Sequence, residues 1–578
     1  MQKIYRVREK APEEVHAALA AHSELLRDLL HARGVSDAEQ ASQFLSPDFA
    51  RDSHDPFLLP DMCAGVDRII AARRADELIC VWSDYDCDGI PGGVALTEFL
   101  RDIGCRVRHY IPHRHLEGYG INEEGLGEIA REGATLVITV DLGIVEHANV
   151  EHARTLGMEV IITDHHLPQE TLPAALAVIN PHRADSIYPF RELCGAGVVW
   201  KLIQALLQKM RASGEPFDYA QGKPFEYPQG KEKWLLDLVG LATLSDMVPL
   251  QGENRMLASY GLIVMRQTRR PGLRALFKML RINLRTLAED DLTFMLSPRI
   301  NAASRMAHPE LAARLLATND EEEGGEIAQE LNRINDERKG TVAAIMKEAR
   351  HRLAERAPDA PQEVIVMGNP KWRPGVLGLV ANSLMESEGV PVFLWGREGS
   401  EMLKGSCRSD GSVNVVELMT AANDVLEGFG GHELAGGFSL REERAHELES
   451  ALSSAYQLLS DAQGKAEEII IDRELTIADC PRAIREVQRL SPFGEGNRKP
   501  LFLLPNVLVS RIKMFGKNND HLELSLCGDD GSTIASVSFF SNVDSFHKIV
   551  TEGMRADIVA HIETDFRSRP RLRIVDVI

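Results

Sequence analysis

Acidic and histidine side chains recur at the ends of apolar segments in the first half of the sequence. They occur in Asp84-Tyr85-Asp86-Cys87-Asp88-Gly89, in ITVDLGI with Asp141, in VIITDHH with Asp164, His165 and His166, and in LVGLATLSD with Asp246. Carboxylates and imidazoles at such positions are typical ligands of hard divalent cations in hydrolases. The strongest candidate ligands are Asp84, Asp86, Asp141, His165 and Asp246. The pattern predicts a two-ion site for metal-assisted hydrolysis of a phosphoester.

Three further residues of these strings are candidate catalytic groups: His166, Asp164 and Asp88. His166 is better placed to contact the leaving oxygen or the scissile phosphate than to bind both ions. One alternative for the first string is a calcium loop, but its twelfth position would need a bidentate Glu and is Thr97 here. The alternative for the His pair is a structural role with hydrogen bonds to the backbone.

Strand-like and helix-like segments alternate between about residues 77 and 165, which predicts a parallel sheet with helices on both faces. Predicted strands are ELICVW, CRVRHYIP, ATLVITV and EVIITD, and predicted helices are GGVALTEFLRDIG and EEGLGEIAREG. Asp84, Asp141 and Asp164 each follow a predicted strand, and we take Asp246 as a further acid at a strand end. Because sites in such sheets form at the carboxyl ends of the strands, these acids can meet in space.

The rest of the chain divides by composition into several predicted units. They are a helical segment at 1–75, the sheet-bearing unit at 76–320 with a repeat insertion (PFDYAQGK, PFEYPQGK) at 213–232, a long charged helix at 321–358, a second α/β unit at 359–460 and a β-rich unit at 461–578. The insertion is expected at the surface without a catalytic role, because it is rich in Pro, Gly and polar residues. Five short β-rich runs predict a small terminal barrel.

The overall charge argues against a protein that binds nucleic acids through a generally basic surface. The chain has 65 Lys and Arg against 86 Asp and Glu, a net charge of −21. From Asn497 onward, however, eleven basic residues face ten acidic ones, and local basic grooves can still hold a polyanion. With neither a long apolar span nor a secretory signal, and with scattered cysteines, we expect a cytoplasmic protein without membrane contact.

Basic, aromatic and glycine-rich strings in the second half predict contacts with a nucleic acid. The barrel strings carry Arg511, Lys513, Phe515, Lys517, Phe566, Arg567, Arg569, Arg571 and Arg573. Mixed basic and aromatic residues of this kind bind roughly 4–16 nucleotides in single-strand-binding barrels. The glycines of GGHELAGGF allow a close ligand, with His432 either contacting the nucleotide or capping the core. Trp372-Arg373-Pro374 is a weaker candidate for part of a channel.

The order of these motifs resembles the DHH phosphoesterase superfamily and, within it, the RecJ family of single-strand-specific exonucleases. Further strings that resemble this family, from about residue 20 to about 560, are YIPHRHLEGYGIN, INPHRADSIYPF, CGAGVVWKL, SDMVPLQGENR, SPRINAASRM, LNRINDERK, GSCRS, GGHELAGGF and SPFGEGN. The resemblance implies a parallel-sheet DHH domain, a second α/β DHH-associated domain joined by a long helix, and a C-terminal OB-fold barrel.

The resemblance also implies an activity: removal of nucleotides from the 5′ end of single-stranded DNA with Mn²⁺ or Mg²⁺, in DNA repair and recombination. Arg114, Ser406 and Arg408 match positions that hold the 5′ phosphate in the family, and so does one arginine of SPRINAASR. Arg299 and Arg305 both remain open for that last position. A helicase and a single-strand-binding protein are expected partners, because such a nuclease needs exposed single strands.

Two alternatives keep the same core. The first is a phosphodiesterase for short oligonucleotides or cyclic dinucleotides, although such relatives are shorter and lack the terminal barrel. The second is a non-catalytic replication scaffold, although relatives of that kind have lost metal ligands that are all present in this sequence.

Overall fold

The computed structural model describes residues 3–213, 216–218, 223–224, 227–356, 363–397, 402–459, 467–516, 519–565 and 569–578. The N-terminal segment is mostly helical, as the sequence predicts. Its elements are β1 (Lys3–Val7), α1 (Glu13–Ala18), α2 (Glu24–His31), α3 (Ala38–Leu45), α4 (Phe49–Asp52) and α5 (Met62–Arg74). Side chains of Ser23, Asp37 and Asp48 cap the amino ends of α2, α3 and α4, which explains where these helices begin.

A parallel five-stranded sheet follows, with strand order β3-β2-β4-β5-β6. Its elements are β2 (Leu78–Ser83), α6 (Gly89–Asp102), β3 (Arg106–Tyr110), α7 (Glu123–Arg131), β4 (Ala134–Val140), α8 (His147–Thr155), β5 (Glu159–Thr163) and β6 (Ala177–Ile179). Ile79 and Val81 pack into one buried cluster with α6, whereas Cys80 and Trp82 pack into another with α7 and α8. Alternate residues therefore anchor the sheet between two helical layers.

Further helices complete this half of the chain. They are α9 (Gly195–Ser213), α10 (Leu236–Ser245), α11 (Gly252–Met265), α12 (Pro271–Met279), α13 (Ser297–Met306) and α14 (Glu310–Ala317), with the short strands β7 (Pro216–Asp218) and β8 (Lys223–Pro224) after α9. Asp246 follows helix α10, so the expectation that it closes a strand was wrong. An unbroken apolar run of this length fits a buried helix as well as a buried strand.

The long charged helix is α15 (Glu321–Glu355), and it leads into a second, mixed sheet with strand order β12-β13-β11-β10-β9. The elements of this unit are β9 (Ile365–Gly368), α16 (Pro374–Glu388), β10 (Val392–Gly396), β11 (Leu403–Arg408), α17 (Val415–Ala421), β12 (Gly428–His432), β13 (Ala435–Leu440) and α18 (Leu448–Leu459). Helix α15 contacts α13 on one side and α16 on the other, so it joins the two α/β units.

A closed barrel ends the chain, as expected for an OB-fold. Its elements are β14 (Glu467–Ile471), β15 (Arg473–Glu474), α19 (Cys480–Arg489), β16 (Phe502–Phe515), β17 (His521–Cys527), β18 (Thr533–Ser538), β19 (Arg555–Thr564) and β20 (Pro570–Val577). Strand β16 pairs with both β17 and β19, and this double pairing closes the five long strands into a barrel.

The two ends of the chain are joined by backbone and side-chain contacts. Strand β1 pairs in parallel with β14, so Lys3–Val7 of the predicted helical segment form a strand instead of a helix. The buried Arg255 of α11 donates through Nε to the Phe44 carbonyl oxygen at 2.7 Å and through Nη2 to Leu490 and Ser491 at 2.9 and 3.0 Å. These bonds hold the N-terminal segment, the catalytic half and the barrel together.

Part of the 213–232 insertion, residues 214–215, 219–222 and 225–226, lies outside the described residues. Its second copy contains Tyr227, which is buried, and whose ring lies 5.7 Å from the ring of Phe99. The expectation of a purely superficial insertion was therefore wrong at this residue, which anchors the segment on helix α6.

Candidate active site

The carboxyl ends of three parallel strands bring the sequence-predicted acids together. The backbone N–H of Asp84 donates to the Val140 carbonyl at 3.1 Å, that of Asp141 to Thr163 at 3.0 Å, and that of Asp164 to Ile179 at 3.2 Å. Each acid therefore continues the hydrogen bonding of its strand by one residue. Their side chains project from the same edge of the sheet, where binding sites of this architecture form.

Three overlapping groups of side chains could hold metal ions at this edge. They are Asp84, Asp86 and Asp141; Asp141, His165 and His166; and Asp88, His165 and Asp246. Within each group, the ligand atoms lie within 4.8 Å of one another. Because Asp141 and His165 each belong to two groups, the arrangement suits neighbouring ions that share ligands. All five predicted ligands (Asp84, Asp86, Asp141, His165 and Asp246) are brought together, including Asp246 from the end of helix α10. We call these five residues the carboxylate cage.

Close backbone packing fixes the position of Asp141 in this cage. A Cβ at Gly195 would lie 2.5 Å from the Asp141 Cβ, so any side chain there would displace the acid. Asp141 itself has a φ of 64°, a left-handed conformation that costs an L-residue on the order of 1 kcal/mol. Gly89 is under a similar constraint, because its Cβ would lie 2.6 Å from the Asp84 carbonyl oxygen. The fold thus holds the ligands in place at a cost in stability.

Burial and mutual repulsion dominate the electrostatics of the cage. Burial, followed by the nearby carboxylates, raises the pKa of Asp84 and Asp141 well above the usual range. The same causes raise the pKa of Asp246 to about 9. Oδ1 of Asp84, Oδ1 of Asp141 and Nε2 of His165 are buried without a hydrogen-bond partner. Buried, closely spaced acids with unpaired ligand atoms fit divalent cations, and oxygen-rich ligand sets suit Mn²⁺ or Mg²⁺.

The two neighbouring histidines differ in charge. Nδ1 of His166 lies 2.8 Å from Oδ1 of Asp164, and although burial opposes the charged ring, this carboxylate raises the pKa of His166 to about 9. Burial and then the nearby His166 lower the pKa of His165 to about 4. At neutral pH the His165 ring is therefore neutral, as a metal-binding imidazole must be, whereas the His166 ring carries a proton.

Asp164 and Asp88 organise the backbone around the cage. Asp164 accepts hydrogen bonds from the backbone N–H of Ile144, His165 and His166 at 2.9, 2.7 and 3.0 Å. Asp88 accepts from the first two N–H groups of α9, those of Gly195 and Ala196, at 2.6 and 2.8 Å. The remaining acid of the first string, Asp86, accepts from the N–H groups of Asp88 and Gly89 where α6 begins. Because α6 begins at Gly89, this string is not a calcium loop.

Four arginines gather beside the cage. Burial, then the positive charges of Arg114, Arg338 and Arg408, lower the pKa of Arg305 to about 10, while Asp86 opposes the shift. Arg114 lies over the ring of Tyr85, with Cζ 4.8 Å from its centroid. Nε of Arg338, on helix α15, is buried without a partner. Four clustered guanidinium groups that lack carboxylate partners within the described residues have the charge and the hydrogen-bond donors to bind a multiply charged anion. We call Arg114, Arg305, Arg338 and Arg408 the arginine cluster.

The two arginines of SPRINAASR lie in different surroundings. Arg305 belongs to the arginine cluster and donates through Nη1 to the Gly375 carbonyl at 3.1 Å. Arg299 is buried and donates through Nε and Nη2 to Oδ1 of Asn332 at 3.1 and 2.9 Å. Arg299 therefore stabilises the packing of α13 on α15, and the geometry favours Arg305 as the anion-binding residue.

The second sheet presents its candidate residues in different ways. Ser406 and Arg408 lie on β11 and are half-buried, and Nη1 of Arg408 donates to the Cys407 carbonyl at 2.7 Å. His432 is exposed at the end of β12, so the core-capping alternative was wrong. Trp372 is buried, and its Nε1 donates to Oε2 of Glu348 at 2.9 Å. Its ring therefore does not line a channel for the substrate.

Sequence reasoning named Phe515 but missed the other members of an aromatic surface on the barrel. The rings of Phe515, His521, Phe539 and Phe540 lie together, with 5.2 Å between Phe515 and His521 and 4.8 Å between His521 and Phe540. Phe540 is 83% exposed and has a φ of 54°. The predicted Arg571 and Arg573 each lie 6.0 Å from the centroid of Phe539. We call the four rings the aromatic platform. Lys517, Phe566 and Arg567 lie outside the described residues.

Comparison with known families covers most of the chain. The sequence model of the DHH family N-terminal domain matches residues 78–240, that of the DHHA1 domain matches 362–461, and that of the RecJ OB domain matches 471–576. The single-stranded-DNA-specific exonuclease RecJ of Bacillus subtilis (strain 168) is 34% identical over 561 residues. That alignment covers 96% of this chain and 67% of the relative.

Solved structures agree with the sequence comparison. RecJ from Thermus thermophilus in complex with Mn²⁺ superimposes with a TM-score of 0.80 at 28% identity, covering 100% of this chain and 80% of that one. The same protein in complex with Mg²⁺ gives a TM-score of 0.75 at 25% identity, covering 100% and 78%.

Proposed function

This chain belongs to the RecJ family of single-stranded-DNA-specific exonucleases, and we propose that it shortens single strands from their 5′ ends. It is a phosphodiester hydrolase that uses Mn²⁺ or Mg²⁺. The observation that carries the proposed polarity is the arginine cluster beside the carboxylate cage, since a terminal phosphate has more charge than an internal one. We propose domains at 76–320 and 359–460, joined by the helix at 321–358, and a strand-binding barrel at 461–578.

Asp84, Asp86, Asp141, His165 and Asp246 would hold the ions. When bound, two Mn²⁺ or Mg²⁺ ions would activate a water molecule and polarise the scissile phosphate. The protein's own contribution is to keep these ligands in position before the substrate arrives. The packing of Gly195 against Asp141 and the backbone bonds of Asp88 and Asp164 perform this task.

His166 supplies the proton in this proposal. Its Nδ1 is held by Asp164, which leaves Nε2 to face the substrate and donate to the leaving oxygen or to a phosphate oxygen. With a pKa of about 9, the ring is protonated at neutral pH. Asp164 orients the ring and keeps it charged, and it is not itself a metal ligand.

The arginine cluster would bind the 5′ phosphate, together with Ser406. Guanidinium groups hold phosphate oxygens through paired, charge-assisted hydrogen bonds. With the terminal phosphate fixed there, the first phosphodiester bond would lie over the cage, which explains removal of nucleotides from that end. His432, exposed at the end of β12, would contact the nucleotide.

The barrel would hold the strand beyond the cleavage point. OB-folds bind single strands by stacking bases on aromatic rings beside basic side chains. The aromatic platform and its neighbours Arg571 and Arg573 supply both features. They also weigh against an enzyme for dinucleotides alone, because such a substrate is too short to use a separate platform.

End-labelled digestion tests the proposed polarity and substrate together. A 5′-phosphorylated single strand labelled at its 3′ end should be shortened progressively with Mn²⁺, whereas the blunt duplex of the same sequence should stay intact. Labelling the 5′ end should release the label at once as a mononucleotide. Release of the 3′ label first would overturn the polarity, and cleavage of dinucleotides alone would overturn the substrate.

We also propose where and with which proteins the enzyme acts. No helix within the described residues is both long and apolar enough to cross a bilayer. A cytoplasmic location would place the enzyme with its DNA substrate. A helicase or a single-strand-binding protein would supply exposed strands, and both are proposed partners.

A further inference from the structure

A cavity of ≈ 250 Å³ lies between helix α6, strand β3 and helix α14. Strand β3 is an edge strand of the parallel sheet, and α14 packs on α6. Neither the carboxylate cage nor the arginine cluster contributes a residue to the lining of this cavity. The proposed exonuclease mechanism therefore gives the cavity no role.

Part of the cavity wall is apolar. Val94 of α6, Ile111 after β3, and Ala313 and Ala317 of α14 line it. An apolar cavity of about 150 Å³ holds a single benzene ring. The larger volume here has room for a flat heterocycle of two fused rings, which the apolar side chains would contact on its faces.

Thr97 of α6 adds a polar atom to the lining that has no partner of its own. Its Oγ1 is buried without a hydrogen-bond partner within the described residues, and only 4% of Thr97 is exposed. A buried hydroxyl without a partner costs free energy, and a ligand with a polar edge would supply the missing bond.

His109 of β3 provides a second polar group. Its Nε2 lies 2.9 Å from Oγ of Ser83, whereas Nδ1 has no hydrogen-bond partner in the part of the chain that the structure describes. Burial, followed by the positive charges of Arg101 and Arg108, lowers the pKa of His109 to about 3. The ring is therefore neutral, and together with Thr97 it offers hydrogen bonds to a heterocycle without adding charge.

Two of the charged residues that line the cavity are available to a ligand. Arg101 and Glu310 are exposed, and neither has an ionic partner among the described residues. The other charged residues of the lining already pair elsewhere, and they are Glu98, Arg108 and Arg314. A single unpaired guanidinium suits one phosphate group, and an unpaired carboxylate suits the hydroxyl groups of a sugar.

We propose that this cavity binds a purine nucleoside monophosphate, with the base between α6 and α14 and the phosphate at Arg101. Thr97 and His109 would bond the polar edge of the base, and Glu310 would accept from a sugar hydroxyl. A nucleotide of this class is a product that the exonuclease would release, and this link to the reaction rests on the proposed function. The binding site itself needs neither the metal ions nor the strand.

Equilibrium dialysis of tritiated dAMP against the full-length protein in EDTA tests the site. The active site also binds a 5′ phosphate in our proposal, so the reference protein is Arg408→Ala, in which that contact is removed. We expect Arg408→Ala to keep one saturable site for dAMP, because Arg408 does not line the cavity.

Three competitors define the ligand. Adenosine should displace dAMP at least about ten-fold less well, since it lacks the charged group that Arg101 would bind. The single ring of dTMP should also compete less well, because it would leave part of the cavity unfilled. ATP should compete less well than unlabelled dAMP, because its additional negative charges would lie near Glu310.

Two substitutions in the Arg408→Ala protein change the cavity in different ways. Ala317→Leu fills part of it and should lower the affinity for dAMP by at least about ten-fold. Thr97→Val keeps the shape but removes the hydroxyl, so the affinity should fall about three-fold or more through the loss of one hydrogen bond. The matched control is Ala275→Leu, which adds the same bulk to a half-buried alanine of α12 outside the cavity.

Two measurements show that the variants are folded. With Arg408 intact, Ala317→Leu and Thr97→Val should digest single strands as well as the unaltered protein does. Thr97→Val should also melt no lower than the unaltered protein in the absence of nucleotide, because the hydroxyl has no partner to lose.

Three results would overturn the proposal. They are the absence of dAMP binding by Arg408→Ala, equal affinities of the Ala317→Leu and Ala275→Leu proteins, and competition by ATP that equals or exceeds that of dAMP. Any of these with intact 5′-directed digestion would refute the cavity proposal alone. Binding of dAMP in the cavity of an enzyme that digests from the 3′ end would instead refute only the proposed function.

Discussion

Nδ1 of His166 lies 2.8 Å from Oδ1 of Asp164, and Nε2 of the adjacent His165 lies 3.1 Å from Oδ1 of Asp141. Two neighbouring imidazoles thus differ in charge at neutral pH, with a pKa of about 9 for the protonated His166 and about 4 for the neutral His165. Burial lowers the pKa of both rings, but the Asp164 carboxylate raises that of His166, whereas the nearby His166 lowers that of His165 further. Under the proposed mechanism, the two residues would supply a proton donor and a metal ligand within one dipeptide.

Replacing Asp164 by Asn should remove the negative charge that keeps His166 protonated. The His166 pKa would then fall from about 9 toward or below its usual range, because burial alone lowers it. We expect kcat to decline above about pH 7 in D164N, whereas in the unaltered enzyme it stays high to about pH 9. Single-turnover rates across pH measure this shift. Identical alkaline limbs in the two proteins would contradict the assigned role of Asp164.

The two arginines of α13 should give different phenotypes. Arg305→Ala should reduce the preference for a 5′-phosphorylated over a 5′-hydroxyl strand by about ten-fold or more, because a charge-assisted contact to phosphate is lost. Arg299→Ala should keep the preference but lower the melting temperature, since Arg299 bonds Asn332 of α15. The measurement is the ratio of initial rates on the two strands, with a thermal melt. A lost preference in R299A with a normal R305A would reverse the assignment.

Phe540→Ala should weaken binding of long single strands. Stacking of a base on an aromatic ring contributes about 1–3 kcal/mol, so the Kd should rise about five-fold or more. The dependence of the Kd on salt should stay the same, because no charge is removed. Ile549→Ala is a matched control, since Ile549 is also exposed on the barrel but lies outside the aromatic platform. Equal affinities of F540A and the unaltered protein would remove Phe540 from the binding surface.

Stabilisation by metal should grow as the pH rises. Asp84, Asp141 and Asp246 have folded-state pKa values above their unfolded values, so the metal-free protein loses stability as the pH rises from about 4 through the pKa of about 9 at Asp246. Metal ions require the ionised acids and relieve their repulsion. The rise in melting temperature on adding Mn²⁺ should therefore be larger at pH 8 than at pH 6. A rise that is the same at both pH values would be inconsistent with this cage as the metal site.

Much of the cage could be predicted from sequence because parallel strands impose its geometry. Asp84, Asp141 and Asp164 each follow an apolar run, and the carboxyl ends of such strands meet at one edge. Asp246 was assigned to the wrong element, because the ten residues of α10 are almost uniformly apolar and show no periodicity. Its position near the cage did not depend on that assignment.

Other features depended on contacts that sequence patterns do not show. Arg338 lies in a helix with many charged residues, and nothing in the sequence distinguishes it from the exposed ones. Only the three-dimensional structure shows that its Nε is buried. Phe540 follows a β-rich run and differs from core phenylalanines only in its exposure. Strand β1 has no partner within 400 residues of sequence, so its pairing with β14 could not be read locally.

The most direct test of the carboxylate cage is digestion of a 5′-phosphorylated single strand by Asp141→Ala with Mn²⁺. Asp141 belongs to two of the three ligand groups, and its loss should disrupt both metal positions. We predict that hydrolysis is abolished while affinity for the strand, measured without metal, stays within about three-fold, which is less than 1 kcal/mol. Full Mn²⁺-dependent digestion by D141A would contradict the assignment of this cage as the catalytic metal site.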